Sequence, residues 1–199
     1  LAFLCDATGS MQTYMKQCRD VMKQLTKLLK NNFPSLQLRI LTVLYRDPLE
    51  STDEENEHVS FVTSCEKEFR EFMDKSRASG GGDTAEDIAG GLDLLNNKIE
   101  LEEKSQTLLV IHILDAPAHG FSLGSDHHNT EEQRLRLQNS VERMTTLGMQ
   151  FDEFEYHFFG VTSELEGFKQ HMKAMIEQNL NDGHSIGYIF KQMDPRQDF

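Results

Sequence analysis

The feature that most constrains the fold is an almost unbroken apolar run at residues 107–114. A strand that is apolar on both faces is typical of the centre of a parallel sheet, where helices cover both sides. Shorter apolar runs at residues 1–5, 36–45 and 155–161 alternate with segments of helical periodicity. This alternation predicts an α/β fold with a mostly parallel central sheet and helices on both faces. Residues 58–63 are a candidate for a short edge strand, and an antiparallel edge strand is compatible with this fold.

The length and the first residues bear on domain organisation. The 199 residues fit one domain, which we expect to span residues 1–199. The chain begins inside an apolar run, without Met and without the pattern of a signal peptide,. We therefore expect a domain excised from a longer protein. No apolar run approaches the roughly 20 residues that span a bilayer, so we expect no membrane insertion.

Charge and cysteine content narrow the class of partner and the compartment. The net charge is −13, from 20 Lys and Arg against 33 Asp and Glu, and the basic residues form no stripe. This argues against nucleic acid and anionic membranes as partners. The three cysteines, Cys5, Cys18 and Cys65, have neither the number nor the spacing of a disulfide framework or a zinc site. We expect an intracellular, cytoplasmic protein.

Oxygen-bearing side chains follow the first and the central strand. Asp6, Thr8 and Ser10 come directly after residues 1–5, and Asp115 follows the central strand. Ligands in parallel α/β sheets bind beyond the carboxyl ends of the strands, so we expect these side chains to meet there. Two adjacent buried acids repel each other, and a cation between them removes that cost. Carboxylate and hydroxyl oxygens favour Mg²⁺ or Mn²⁺.

A glycine-rich turn at residues 80–84 is the third expected contributor to this edge, because it also precedes a helix that we place at residues 85–97. Thr84 would add a hydroxyl, and Asp83 a carboxylate that acts through water. Each part also has a local explanation. Asp6 or Thr8 can cap the following helix, Asp115 can form a turn before a proline, and Thr84 fits a variant of the capping box. The coincidence of three such segments at one edge favours a joint site.

The pattern Asp6-x-Thr8-x-Ser10 resembles the metal-ion-dependent adhesion site of von Willebrand factor A domains, where Ser usually stands at the middle position. Thr84 is similar to the loop threonine of that site and Asp115 to its later aspartate, although Ala-Pro rather than Gly follows Asp115. The resemblance covers essentially the whole chain. It implies that these five residues hold one Mg²⁺, or Mn²⁺, directly or through water. It also implies an open coordination position for an Asp or Glu carboxylate of a partner protein.

A narrower resemblance involves residues 45–47, 80–83 and 115–120. These segments are similar to the A domains that accompany alpha-type protein kinases of the myosin heavy chain kinase type. The resemblance implies a domain that regulates or localises a kinase encoded elsewhere in the parent protein. No kinase segment lies in this chain, which we therefore expect not to be an enzyme. Asp47, Asp83 and His119 are expected around the rim of the metal site.

Three alternatives stay open. A Mg²⁺-dependent phosphoryl-transfer enzyme with Asp6 as nucleophile would also place an acid after its first strand. It would want a second acid where Thr8 stands, and a lysine in these loops, which have none. A scaffold with an unoccupied site is the second alternative. The third is a separate metal site built from His112, His119, His127 and His128. It is disfavoured because His127 and His128 are adjacent in the chain, which suits one shared ion poorly.

Overall fold

The structure is a computed structural model that describes residues 1–51, 53–102, 107–121, 126–162 and 165–179, without the side chain of residue 55, and the backbone of residues 187–192. Its strands are β1 Ala2–Asp6, β2 Ile40–Tyr45, β3 Val59–Thr63, β4 Thr107–Leu114, β5 Glu153–Gly160 and β6 Gly187–Gln192. Its helices are α1 Gln12–Asn32, α2 Glu66–Lys75, α3 Ile88–Leu101, α4 Glu131–Gly148 and α5 Glu166–Gln178, with 3₁₀ turns at Gly9–Met11 and Glu54–Asn56.

The six strands form one sheet in the order β3-β2-β1-β4-β5-β6. All neighbouring strands are parallel except β3, which pairs antiparallel with β2 at one edge. The predicted α/β class, the mostly parallel sheet and the antiparallel edge strand are therefore confirmed. β1 and β4 are direct neighbours, with Cys5 opposite Ile113. This register brings the residues that follow both strands to one edge of the sheet.

Helices cover both faces of the sheet, as the doubly apolar central strand predicts. Alternate residues of β1 point to opposite faces, so that Phe3 and Cys5 lie in one core cluster and Ala2 and Leu4 in the other. The first cluster packs against α1 and α2 through Met15, Cys18, Met22, Phe69 and Met73. The second packs against α3, α4 and α5 through Ile88, Leu92, Val141, Met144, Phe168 and Met172.

One helix boundary differs from the sequence prediction in a way that affects the site. The helix predicted at residues 85–97 begins only at Ile88. Glu86 instead forms a parallel bridge with Ala118, in which Glu86 N donates to Pro117 O at 3.0 Å. Asp87 then caps α3, because its Oδ1 accepts a hydrogen bond from Gly90 N at 2.9 Å,. Glu86 thus lies outside the helix and against the loop that follows β4.

The second strand is also shorter than predicted. It begins at Ile40 rather than at residue 36, and residues 31–37 are exposed. In the part of the chain that the structure describes, no helix combines the length and the apolar character needed to cross a membrane.

Candidate metal centre

Asp6 organises the turn after β1. Its Oδ1 accepts hydrogen bonds from Thr8 N at 2.9 Å and from Thr8 Oγ1 at 2.7 Å. The Thr8 hydroxyl is in turn 3.1 Å from the hydroxyl of Ser10. Asp6 and Thr8 are buried, whereas Ser10 is exposed. The alternate spacing therefore directs three oxygen-bearing side chains into one cluster that runs from the core to the surface.

Asp115 joins this cluster from β4. Ser10 Oγ donates a hydrogen bond to Asp115 Oδ1 at 3.1 Å. The backbone carbonyl of Asp115 accepts from Thr162 Oγ1 at 2.8 Å, which fixes the turn after the strand. Four of the five predicted ligands, Asp6, Thr8, Ser10 and Asp115, are thus linked by one chain of hydrogen bonds.

The cluster contains a buried carboxylate oxygen that receives no hydrogen bond. Asp6 is fully buried, and its second oxygen, Oδ2, has no hydrogen-bond partner. Burial, with the nearby Asp115 carboxylate, raises the pKa of Asp6 from 3.8 to about 8,. Burial also raises the pKa of Asp115. Without a counter-ion, the Asp6 carboxyl therefore favours its protonated form at neutral pH.

Glu86 is a fifth member of this cluster, and the sequence analysis does not predict it. It is 2% exposed, its side chain lies close to Thr8, and its Oε2 has no hydrogen-bond partner. Burial, followed by the charges of Asp6 and Asp47, raises the pKa of Glu86 to about 10. The signal available in the sequence was Asp87, because a helix capped there leaves Glu86 outside the helix and free to face the site.

The glycine-rich turn packs against the Asp6 turn through its backbone. Gly9 N donates to Gly80 O at 3.0 Å, and a Cβ at Gly9 would approach that oxygen to 3.1 Å. Gly81 has φ +87°, which favours glycine, and a Cβ at this position would lie 3.5 Å from the Cβ of Thr8,. Within this turn the side chain of Thr84 is exposed. Thr84 as a metal ligand therefore stays a prediction.

The predicted rim residues form a separate network beside the cluster. His119 Nε2 lies 3.2 Å from Asp47 Oδ1, and His119 Nδ1 lies 2.9 Å from Asp126 Oδ1. Burial lowers the pKa of His119, but the hydrogen bonds and charges of these two acids outweigh it and raise the value to about 9. Asp83 accepts hydrogen bonds from Ala85 N at 2.9 Å and His127 N at 2.6 Å. The sequence analysis does not predict Asp126 as part of this network.

The four-histidine metal site is not formed as proposed. His112 is fully buried in the core between two tyrosines, 3.2 Å from Tyr45 Oη and 2.5 Å from Tyr156 Oη. Burial lowers the pKa of His112 to about 3, so this imidazole is neutral. Only His119 and His128 have rings in contact, with centroids 5.1 Å apart, among the four histidines in the described residues.

Comparison with known proteins places the chain in a family. Residues 1–147 match the von Willebrand factor A domain family. The chain is 29% identical over 154 residues to the alpha-protein kinase vwkA of Dictyostelium discoideum, a match that covers 76% of this chain and 24% of the kinase. It is also 29% identical over 135 residues to a putative ariadne-like RING finger protein, R811, of Acanthamoeba polyphaga mimivirus, covering 68% and 13% of the two chains. The chain thus spans a quarter or less of these relatives.

Solved structures share the fold at low sequence identity. The SpRpn10 VWA domain superimposes with a TM-score of 0.57 and 13% identity, over 98% of this chain and 88% of that chain. The pilus adhesin SpaC of Lactobacillus rhamnosus GG superimposes with a TM-score of 0.62 and 12% identity, over 97% and 27% of the two chains. The match to an alpha-protein kinase confirms the narrower resemblance inferred from the sequence. The chain belongs to the von Willebrand factor A domain family, whose members are commonly metal-dependent, non-enzymatic protein-interaction modules.

Proposed function

We propose that this chain binds a partner protein through a divalent cation, Mg²⁺ or alternatively Mn²⁺, held by Asp6, Thr8, Ser10 and Asp115. The observation that carries the proposal is the buried acid cluster at the carboxyl ends of β1 and β4, in which Asp6 Oδ2 has no hydrogen-bond partner. A buried carboxylate without a partner is costly, and a bound cation is the simplest compensation.

The donor set fits a hard cation. Two carboxylates and two hydroxyls offer oxygen alone, which is the chemistry that Mg²⁺ and Mn²⁺ prefer. The hydrogen bonds among Asp6, Thr8, Ser10 and Asp115 keep these oxygens within reach of one another. When bound, the cation would neutralise the buried acids and act as a Lewis acid towards an oxygen of the partner.

We include two further residues in the proposal for different reasons. The family resemblance assigns a hydroxyl ligand to Thr84. The contacts of Glu86 favour it as an additional carboxylate next to the cation, because it is buried beside Thr8 with one oxygen unsatisfied. The outer face of the site carries the exposed Ser10, and this is where a partner carboxylate from Asp or Glu would complete the coordination. Asp47, Asp83 and His119 would surround the site as its rim.

The biological setting that we propose rests on the relatives. One curated relative is an alpha-protein kinase that is much longer than this chain. A domain of this kind would regulate or localise an alpha-type kinase in its parent protein. The free thiols of Cys5, Cys18 and Cys65 fit a reducing, cytoplasmic compartment,.

Two measurements test the proposal. Thermal unfolding of the metal-stripped chain should shift upward with Mg²⁺ or Mn²⁺, because ligands that bind only the folded state stabilise it. Asp6→Ala should abolish the shift, whereas Asp20→Ala, an exposed acid of α1, should retain it. No shift at millimolar metal would favour a scaffold with an empty site.

Partner binding separates a module from an enzyme. Proteins captured from a lysate by the wild-type chain should be lost with chelator and with Asp6→Ala, and should be retained with Asp20→Ala. Capture that resists chelator and Asp6→Ala would contradict the proposal. Turnover of a phosphate ester that is lost in Asp6→Asn would instead support the phosphoryl-transfer alternative.

A further inference from the structure

A second set of potential metal ligands lies beside the Asp6 cluster. It comprises Asp47 after β2, Asp83 in the glycine-rich turn and His119 in the loop after β4, and one ligand atom from each lies within 4.8 Å of the other two. Three chain segments that are distant in sequence thus converge on one point. Hydrogen bonds link His119 to Asp47 and to Asp126.

The spacing of the nearest pair fits a transition-metal ion. His119 Nε2 and Asp47 Oδ1 are 3.2 Å apart. Zn²⁺ takes imidazole nitrogen and carboxylate oxygen at roughly 2.0–2.2 Å in tetrahedral sites, so neighbouring ligands stand about 3.3–3.5 Å apart. His119 and Asp47 therefore need almost no movement to bind the same ion. Asp83 can supply the third ligand, because its carboxylate oxygen lies within 4.8 Å of both ligand atoms.

Asp126 holds His119 in the orientation that a metal ligand requires. The Nδ1 atom of His119 lies 2.9 Å from Asp126 Oδ1, while Gly120 N donates to Asp126 Oδ2 at 2.7 Å. Histidines that bind metals through one ring nitrogen usually donate the other N–H to a carboxylate, which fixes the tautomer. The geometry thus leaves Nε2 as the nitrogen directed towards Asp47 and the ligand position.

The charge balance also leaves room for a cation. The side chains of Asp47, Asp83 and Asp126 are 0–1% exposed, and the one buried imidazole among them belongs to His119. Within this group of four side chains, a protonated His119 offsets one of the three carboxylates. Asp47 Oδ2 is buried and has no hydrogen-bond partner. A divalent ion supplies the missing charge and a partner for that carboxylate.

We infer that Asp47, Asp83 and His119 form a second metal site, selective for a first-row transition ion such as Zn²⁺, with Asp126 as the residue that positions His119. The imidazole distinguishes it from the all-oxygen Asp6 cluster, since nitrogen ligands favour Zn²⁺ over Mg²⁺. The ion would tie the loops after β2 and β4 to the glycine-rich turn. The inference does not rest on the proposed function, because Asp47, Asp83 and His119 form the rim of the Asp6 site in that proposal and are not its direct ligands.

Calorimetric titration of the metal-stripped chain with ZnCl₂ tests the site. The Asp6→Asn variant removes a ligand of the first cluster and should still bind one Zn²⁺. Adding Asp47→Asn or His119→Gln in that background should weaken Zn²⁺ binding at least about 10-fold. Asp126→Asn should weaken it by roughly 10- to 100-fold, as expected for a residue that orients a ligand. His157→Gln, which removes a histidine paired with Glu155 on β5, should bind as Asp6→Asn alone does.

The results that overturn the inference are distinct from a failure of the Asp6 site. Absence of Zn²⁺ binding in Asp6→Asn, or unchanged affinity in folded His119→Gln and Asp47→Asn, refutes it. Circular dichroism in chelator identifies any variant that does not fold, and the remaining variants then decide. Glu50, Asp83 and His127 form a neighbouring, more exposed triad. Loss of binding in His127→Gln but not in His119→Gln would move the site there and overturn the assignment.

Discussion

Replacing Asp6 by Asn should stabilise the metal-free protein while abolishing its response to Mg²⁺. The folded state holds a proton on Asp6 up to about pH 8, whereas the unfolded chain releases it near 3.8. Between these two pH values the folded state binds more protons than the unfolded state. The free energy of unfolding of the wild type therefore falls as the pH rises from about 4 to about 8. At about 1.4 kcal/mol for each unit of pKa difference, the loss at neutral pH is on the order of 4 kcal/mol.

Replacing Asp6 by Asn removes this loss of stability. The Asn side chain has no proton to lose, and its Oδ1 can still accept the two hydrogen bonds from Thr8. At about pH 8 the loss rises to about 5 kcal/mol. In chelator at this pH, Asp6→Asn should therefore melt higher than the wild type by roughly 10–20 °C, since about 1 kcal/mol shifts the midpoint of a chain this size by roughly 2–4 °C. The difference should shrink at about pH 5, where less of the proton cost is left.

Thermal unfolding followed by circular dichroism, at the two pH values and with chelator or Mg²⁺, gives the complete test. Saturating Mg²⁺, at about 100 times its dissociation constant, should stabilise the wild type by about 2.7 kcal/mol and Asp6→Asn not at all. A variant that is less stable than the wild type in chelator at both pH values would refute the reasoning, because Asp6 would then act as an ordinary hydrogen-bonding residue.

The other predictions concern the remaining donors and the packing of the helices. Glu86→Gln should reduce the Mg²⁺ affinity measured by calorimetry more than Thr84→Ala does, because Glu86 is buried beside Thr8 and Thr84 is exposed; the opposite order would favour the threonine of the family pattern. Glu86→Gln should also raise the melting temperature in chelator at about pH 8, since the Glu86 pKa of about 10 imposes the same loss of stability with rising pH. Gly148→Ala should cost roughly 1–3 kcal/mol of unfolding free energy in denaturant titrations, because its Cβ would overlap the ring of Phe154. Gly167→Ala is the matched control: nothing lies within 4 Å of its Cβ, so the helix α5 should gain up to about 1 kcal/mol.

Much of the fold followed from one periodicity argument. The doubly apolar β4 predicted a central parallel strand, and its position next to β1 makes Asp6 and Asp115 neighbours. Local spacing was equally sufficient for the turn at Asp6, because residues two apart in a tight turn share a side. These parts of the site depend on short-range rules that a sequence exposes directly.

The parts that the sequence did not reveal depend on long-range contacts. The helical periodicity of residues 85–97 predicts that Glu86 belongs to a helix, but the segment forms a backbone bridge to Ala118 instead. Asp126 pairs with His119 across a loop whose residues 122–125 lie outside the described part of the chain. Neither contact has a local pattern, since both arise from how the loop after β4 returns to the sheet.

The bridge at Glu86 couples the Asp6 cluster to the group formed by Asp47, Asp83 and His119. The backbone of this residue holds Pro117 and His119 at 3.0 and 3.3 Å, while its side chain reaches Thr8. The short extended segment at Glu86 therefore connects the Asp6 turn directly to the loop that carries His119. Binding of an ion at one end of this segment would change the affinity for the ion at the other end. Thermodynamic reciprocity requires that Zn²⁺ alter the affinity for Mg²⁺ by the same factor as Mg²⁺ alters the affinity for Zn²⁺.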